Sequence, residues 1–146
     1  MEKEFVPYTL ALELKELGFD EKCYGYFTRD EEFFYFDVDD LSSAYTKNMD
    51  NLVVNSVNGL ECTAPLYQQA FRFFRERYNA VCEIIRKEDG NHSEFIGWVY
   101  IDNRKIDVVS YWDSKTYEEA ELACLKKLIE IVGQHNAEMT AHGVYK

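Results

Sequence analysis

The side chains with the greatest chemical potential in this chain form a broken run of carboxylates: Asp30, Glu31 and Glu32, then Asp37, Asp39 and Asp40. Closely spaced carboxylates are the usual material of a hard-cation site. A calcium loop beginning at Asp37 needs glycine at its sixth position and a bidentate glutamate at its twelfth. Ser42 and Asn48 stand at those positions. The run therefore predicts no metal site, and its alternative use is an acidic docking surface for a basic partner.

Other reaction chemistries are no better represented. His92, His135 and His142 are dispersed, and the chain has no HExxH, no Cys/His zinc spacing, no G-x-S-x-G and no phosphate-cradling glycine loop. Cys23, Cys62, Cys82 and Cys124 show no CxxC spacing. Cys62 and Cys124 are the candidate reactive thiols, with Cys124 expected instead as a small buried hydrophobe on an apolar helical face. The expectation is a non-enzymatic protein without a cofactor. A small enzyme whose nucleophile, base and orienting group meet only in space is a third reading.

The one basic concentration comprises Arg72, Arg75, Arg77, Arg86, Lys87, Arg104 and Lys105. Gln68, Arg72 and Arg75 recur at i, i+4 and i+7, so a helix would present them on one exposed face, the alternative nucleic-acid-binding surface.

Charge weighs against that alternative. The 146-residue chain carries a formal net charge of -11, and residues 1–60 hold 13 acidic side chains against 5 basic ones. Residues 61–146 hold 14 against 11. Such a field repels phosphate backbones and draws cationic partners. No apolar stretch approaches the roughly 20 residues needed to span a bilayer. The opening MEKEFVPY lacks a basic region followed by an apolar run, so a cytoplasmic protein with reduced thiols is expected.

With 47% hydrophobic and 16% aromatic residues, the chain is expected to form one domain: an acidic part over 1–60, a core part over 61–133 and a tail over 134–146. Phe5 to Gly18 reads as a helix, with Pro7 early, Gly18 as its stop and Leu10, Leu14 and Leu17 as its apolar stripe. Cys23–Phe27 and Phe33–Asp37 read as a hairpin of aromatic strands around Thr28 to Glu32. The connection from Asp39 to Leu60 is too long to be plain loop, and is either a functional loop or holds a short element.

A second helix begins with Thr63 as N-cap and Pro65 in its first turn. It buries Leu66, Tyr67, Ala70, Phe71, Phe73, Phe74 and Tyr78. Ala80–Lys87, Glu94–Ile101 and Lys105–Trp112 form an antiparallel meander, turned at Asp89-Gly90-Asn91 and Asp102-Asn103-Arg104. The final helix opens on a capping box, Thr116 with Glu119, and stops at Gly133. It buries Ala120, Cys124, Leu125, Leu128, Ile129, Ile131 and Val132, while Glu121 reaches water from the first turn. The fold class is α+β, an antiparallel sheet with packed helices in the order αββαβββα.

Over residues 63–133 the order of helix, three strands and helix resembles a double-stranded-RNA-binding domain, and YEEAELACLKKL is similar to that family's closing helix. The family reaches phosphates through a basic cluster at the start of that helix. Here Lys115 is followed by Glu118, Glu119 and Glu121, so the resemblance implies the fold without the RNA contact. More widely, FVPYTLALELKELGFDEKCYGYF, CTAPLYQQAFRFFRERYN and YEEAELACLKKLIEIV resemble uncharacterised small proteins of prophages and mobile elements of gut anaerobes. That resemblance implies no known activity and no functional residues. Together these readings anticipate an acidic protein-interaction module of a mobile element that binds a basic host factor and neither spans a membrane nor favours nucleic acid.

Overall fold

A computed structural model describes residues 2–36, 50–55, 58–90, 92–110 and 116–141. The chain divides into two compact units, Met1–Ala70 and Phe71–Lys146. The expected α+β class is present, with packed helices on antiparallel strands that divide between two three-stranded sheets.

In the first unit, helix α1 spans Tyr8–Glu16. The expected start at Phe5 is two elements merged into one. Phe5 pairs as an isolated bridge with Leu66, and Pro7, with extended backbone at φ -58° and ψ 152°, occupies the N-cap. Its carbonyl accepts the first helical bond, from the Ala11 N–H at 2.9 Å. The helix stops where Gly18 does, at φ 93°. The Gly18 N–H donates to Lys15 O and the Phe19 N–H to Leu14 O, which is a Schellman closure. Leu14 and Phe19 are both buried beside it, the apolar contact that accompanies that motif.

Strands β1 (Gly25–Thr28), β2 (Phe33–Tyr35) and β3 (Leu60–Ala64) form an antiparallel sheet in the order β2-β1-β3. The hairpin is the expected one, trimmed at its ends, with Tyr26 opposite Phe34 and Phe27 opposite Phe33. Gly25 has a packing reason to be glycine: a Cβ there would lie 2.7 Å from the Phe33 ring.

The stretch from Asp39 to Leu60 does hold structure. A short helix α2 occupies Asn51–Asn55, and β3 begins at Leu60; residues 39–49 and 56–57 lie outside the described residues. Helices α1 and α2 both pack on β3. Asn51 is buried and ties them together, donating from Nδ2 to Phe19 O and accepting the Thr63 N–H at Oδ1, both at 2.9 Å.

Thr63 is therefore not an N-cap. It lies in β3 opposite Tyr26, and its N–H is taken by the Asn51 side chain before any helix begins. Helix α3 spans Tyr67–Tyr78. The Gln69 side chain reaches back to accept the Leu66 N–H at 3.0 Å, one half of a capping box supplied from the third helical position. The buried side is close to expectation: Tyr67, Ala70, Phe73 and Phe74 are buried, and Phe71 and Tyr78 half-buried.

In the second unit, β4 (Ala80–Asp89), β5 (His92–Ile101) and β6 (Arg104–Ser110) form the expected meander in the order β4-β5-β6. Trp112, the expected end of the last strand, lies outside the described residues. Asp102 and Asn103 both take positive φ, 51° and 63°, which gives a two-residue turn the twist that strands require. A register shift follows. Tyr100 pairs with Lys105 and Val99 with Asp107, leaving Ile106 as the extra residue of a bulge.

Helix α4 spans Tyr117–Ala141 and packs across all three strands. Its N-cap is as expected, the Glu119 N–H donating to Thr116 Oγ1 at 3.2 Å. Its end is not. The helix continues through Gly133 for two more turns, and Asn136 beyond it donates to the Tyr78 hydroxyl at 3.3 Å. Burial of Val132 before Gly133 and the Asn136–Tyr78 bond after it offset the roughly 1 kcal/mol that a helical glycine costs. Residues 134–141, expected as tail, are helix. Ala120, Ala123, Cys124, Leu125, Leu128, Ile129 and Val132 are buried, and Lys127 bonds Asp107 of β6 at 3.3 Å.

Candidate functional site

The carboxylates proposed for docking divide between described and undescribed chain. Asp37, Asp39 and Asp40 lie outside the described residues. Asp30, Glu31 and Glu32 are exposed at the tip of the β1–β2 hairpin. The tip is built by Thr28, whose N–H donates to Glu32 O and whose carbonyl accepts the Glu31 N–H, both at 3.0 Å. Its hydroxyl accepts the Glu32 N–H at 3.3 Å. Glu31 is held at φ 65°, so all three side chains project from a closed turn. Arg29, beside them, is engaged with Glu61 at 3.8 Å.

The structure adds to this hairpin three exposed residues that were not anticipated, Phe34 and, toward the end away from the tip, Tyr24 and Tyr35. Tyr24, Phe34 and Tyr35 are 57%, 44% and 47% exposed. Strand β2 is at the sheet edge and alternates its side chains between two faces. Phe34 stacks on Tyr26, with ring centroids 5.8 Å apart, and Tyr35 contacts Phe33 on the other face at 4.9 Å. Each ring is thus anchored along one side and open along another. The available signal was the shortness of FFYF: a three-residue edge strand cannot bury both of its faces.

Electrostatics here are anionic. The Tyr8 phenol is held above its ordinary value, first by burial and then by the Glu61 and Glu31 carboxylates. An amphipathic surface that joins open aromatic faces to carboxylates suits guanidinium or ammonium groups, which gain cation–π contact and ion pairing together.

Gln68, Arg72 and Arg75, the alternative face, are all exposed on α3. The described first turn of the helix that follows the meander carries Glu118 and Glu119.

Three of the thiols, Cys23, Cys62 and Cys82, are held away from the thiolate form. Burial pushes both Cys23 and Cys62 up to about 12. Cys82 is raised further by its hydrogen bond with the Cys124 thiol and by burial, and Cys124 is buried in α4 as expected. Among the described residues, no group of three or more His, Cys, Asp and Glu side chains could hold a metal ion. Also among them, no helix is long and apolar enough to cross a membrane. No family model, no curated protein and no solved structure matches the chain.

Proposed function

We propose that the chain is a non-enzymatic interaction module whose β1–β2 hairpin docks a basic segment of another protein. One observation carries the reading: three exposed rings, Tyr24, Phe34 and Tyr35, stand on the same hairpin as the exposed carboxylates of Asp30, Glu31 and Glu32. Charge alone would steer a cation without holding it. Rings alone would be an unexplained apolar surface. Together they match an arginine- or lysine-rich strand laid along the β2 edge, with backbone bonds to the edge and side-chain cations over the rings. The resemblance to mobile-element proteins makes a host factor the expected source of that segment.

Titration of the full chain with a fluorescent arginine-rich peptide tests this. Binding should weaken from low to high salt, and paired Glu31→Lys and Glu32→Lys substitutions should abolish it. Phe34→Ala should weaken it by about three- to tenfold, a ring–cation contribution of roughly 0.5–1.5 kcal/mol. Absence of binding at low salt, or indifference to the charge reversals, would remove the reading.

A nucleic-acid module is the second reading, favoured by the αβββα order of α3, β4–β6 and α4 with Arg72 and Arg75 exposed on α3. Glu118 and Glu119 at the start of α4 oppose it by repelling phosphates. A duplex gel shift at low salt that is lost in Arg72→Glu with Arg75→Glu would favour it over the hairpin.

A further inference from the structure

The second unit contains a cavity of about 580 Å³ where the last turn of α3, the β5–β6 turn and the C-terminal half of α4 converge. Pockets for small ligands commonly run from about 300 to 1,000 Å³. Its apolar wall is Ile101, Ile106, Ile131 and Val132. Ile106 is 51% exposed, and it is the bulge residue of β6, the kind of irregularity that re-aims a side chain out of strand alternation.

The polar edge of the cavity is negative. Glu76, Asp102 and Glu138 contribute carboxylates, and among the described lining residues Arg77 is the one Lys or Arg side chain. The Arg77 guanidinium lies 5.6 Å from the Phe73 ring centroid. The C-terminal turn of α3 also opens on this space, and the carbonyl end of a helix carries partial negative charge.

The walls are tied to one another. Asn79, at φ 49°, closes α3; its carbonyl accepts the Asp102 N–H and its Nδ2 donates to Asp102 Oδ1, both at 3.1 Å. Tyr78 is bonded to Asn136 of α4. These bonds link α3 to the turn and α3 to α4, so the cavity is formed before any ligand arrives.

We propose that this cavity binds a small aliphatic amine, with its hydrocarbon chain against the isoleucine wall and its ammonium group at the carboxylate-bearing edge. An apolar wall rejects compact inorganic cations, which would gain nothing from it. The carboxylates reject fatty acids and other anions of the same length. An ammonium on an aliphatic chain satisfies both parts. The site is separate from the hairpin, and neither assignment depends on the other.

Isothermal titration of the full chain with hexylammonium, with hexanoate as its opposite-charge counterpart, tests the assignment. Hexylammonium should saturate one site per chain and hexanoate should not bind. Asp102→Asn, which keeps an acceptor for Asn79 and tolerates the positive φ, should weaken the amine by about two- to fivefold, as should Glu138→Gln. Ile106→Arg, at a half-exposed position where folding is checked by circular dichroism, should eliminate binding. The proposal fails if hexylammonium does not saturate, if hexanoate binds equally, or if folded Ile106→Arg binds as before. Tighter binding of N-acetyl-lysine methylamide than of hexylammonium would overturn assignment to a free amine in favour of a protein side chain.

Discussion

Among the described residues, the longest strand of the first unit has five residues, whereas the shortest of the second has seven. That difference in length changes what holds each unit together. Strands of three to five residues offer few ladder bonds and little face to bury. The first unit therefore joins its elements through single side chains that reach backbone groups far away in sequence. Asn51 bonds Phe19 and Thr63, Lys15 bonds the Glu61 carbonyl, and Gln69 bonds the Lys22 carbonyl. Rings fill the remainder, Phe5, Phe33 and Tyr35 meeting with centroids 4.8–5.7 Å apart. The second unit has ten consecutive register pairs between β4 and β5 and one long helix across the sheet. It is held by repetition. The lesson is that local damage should act differently on the two: as loss of a specific polar tie in one and as loss of packed volume in the other.

The largest effect should come from packed volume. Leu128, fully buried on α4, has no room to be replaced, and Leu128→Ala should cost about 2–5 kcal/mol in urea unfolding followed by a second-unit probe such as Trp98 fluorescence. A cost below about 1 kcal/mol would mean that α4 is loosely seated and the contrast is misdrawn.

Asn51→Ala comes next and sharpens the comparison from the other side. It removes little volume but takes a donor from the Phe19 carbonyl and leaves the buried Thr63 N–H without its acceptor, and an unsatisfied buried group costs roughly 1–3 kcal/mol. We expect a loss of about 1–3 kcal/mol, read as faster amide exchange at Thr63 and its β3 neighbours. If exchange in β3 were unchanged, the polar ties would be incidental and the two units would be held in the same way.

These two modes of cohesion also decide what was readable in the amino-acid sequence. Repetition is visible locally: the stripe of α4, the meander with its Asp102-Asn103 turn, and the Thr116 cap follow from spacing and turn chemistry. So does the stop of α1 at Gly18. Non-local ties leave no such trace. Thr63-Ala64-Pro65 has the composition of a helix start, and only pairing with Tyr26 makes Thr63 part of a strand. Gly133 has the composition of a helix stop, and the Asn136–Tyr78 bond beyond it is a non-local tie that spacing does not display. For the candidate site, exposure of Asp30, Glu31 and Glu32 was legible as turn chemistry. The rings of Tyr24, Phe34 and Tyr35 were not, because aromatic residues are ordinarily assigned to cores. The cavity was not legible either, since its lining comes from residues 76 to 138 on separate elements.

A smaller effect isolates one local polar tie of the second unit, the cap of α4. Thr116→Ala leaves the Glu119 N–H without its side-chain acceptor and should cost about 1 kcal/mol, with the loss of amide protection confined to the first turn of α4. Spread of that loss into β4–β6 would show that the helix and sheet unfold as one body from that end.

The smallest effect has the opposite sign and depends on pH. Glu121 was expected to reach water from the first turn of α4; it is half-buried on the second. Its carboxyl is pushed above the ordinary range, first by burial and then by the neighbouring Glu118 carboxylate. A carboxyl whose folded value exceeds its unfolded value binds its proton more tightly in the folded chain, so folding is helped as pH falls through the folded value. Above that value the ionised group opposes folding; below the unfolded value, near 4.3, its whole contribution is present and favourable relative to neutral pH. Glu121→Gln removes the charge while keeping the shape. At pH 7 it should raise the melting temperature by about 1–2 °C, and the advantage should vanish as pH falls toward 4. A variant less stable than the parent at pH 7 would instead mean that attraction between this carboxylate and the positive end of α4 exceeds the cost of its burial. In that case the second unit, too, would lean on a single polar side chain, and the contrast with the first would narrow to strand length.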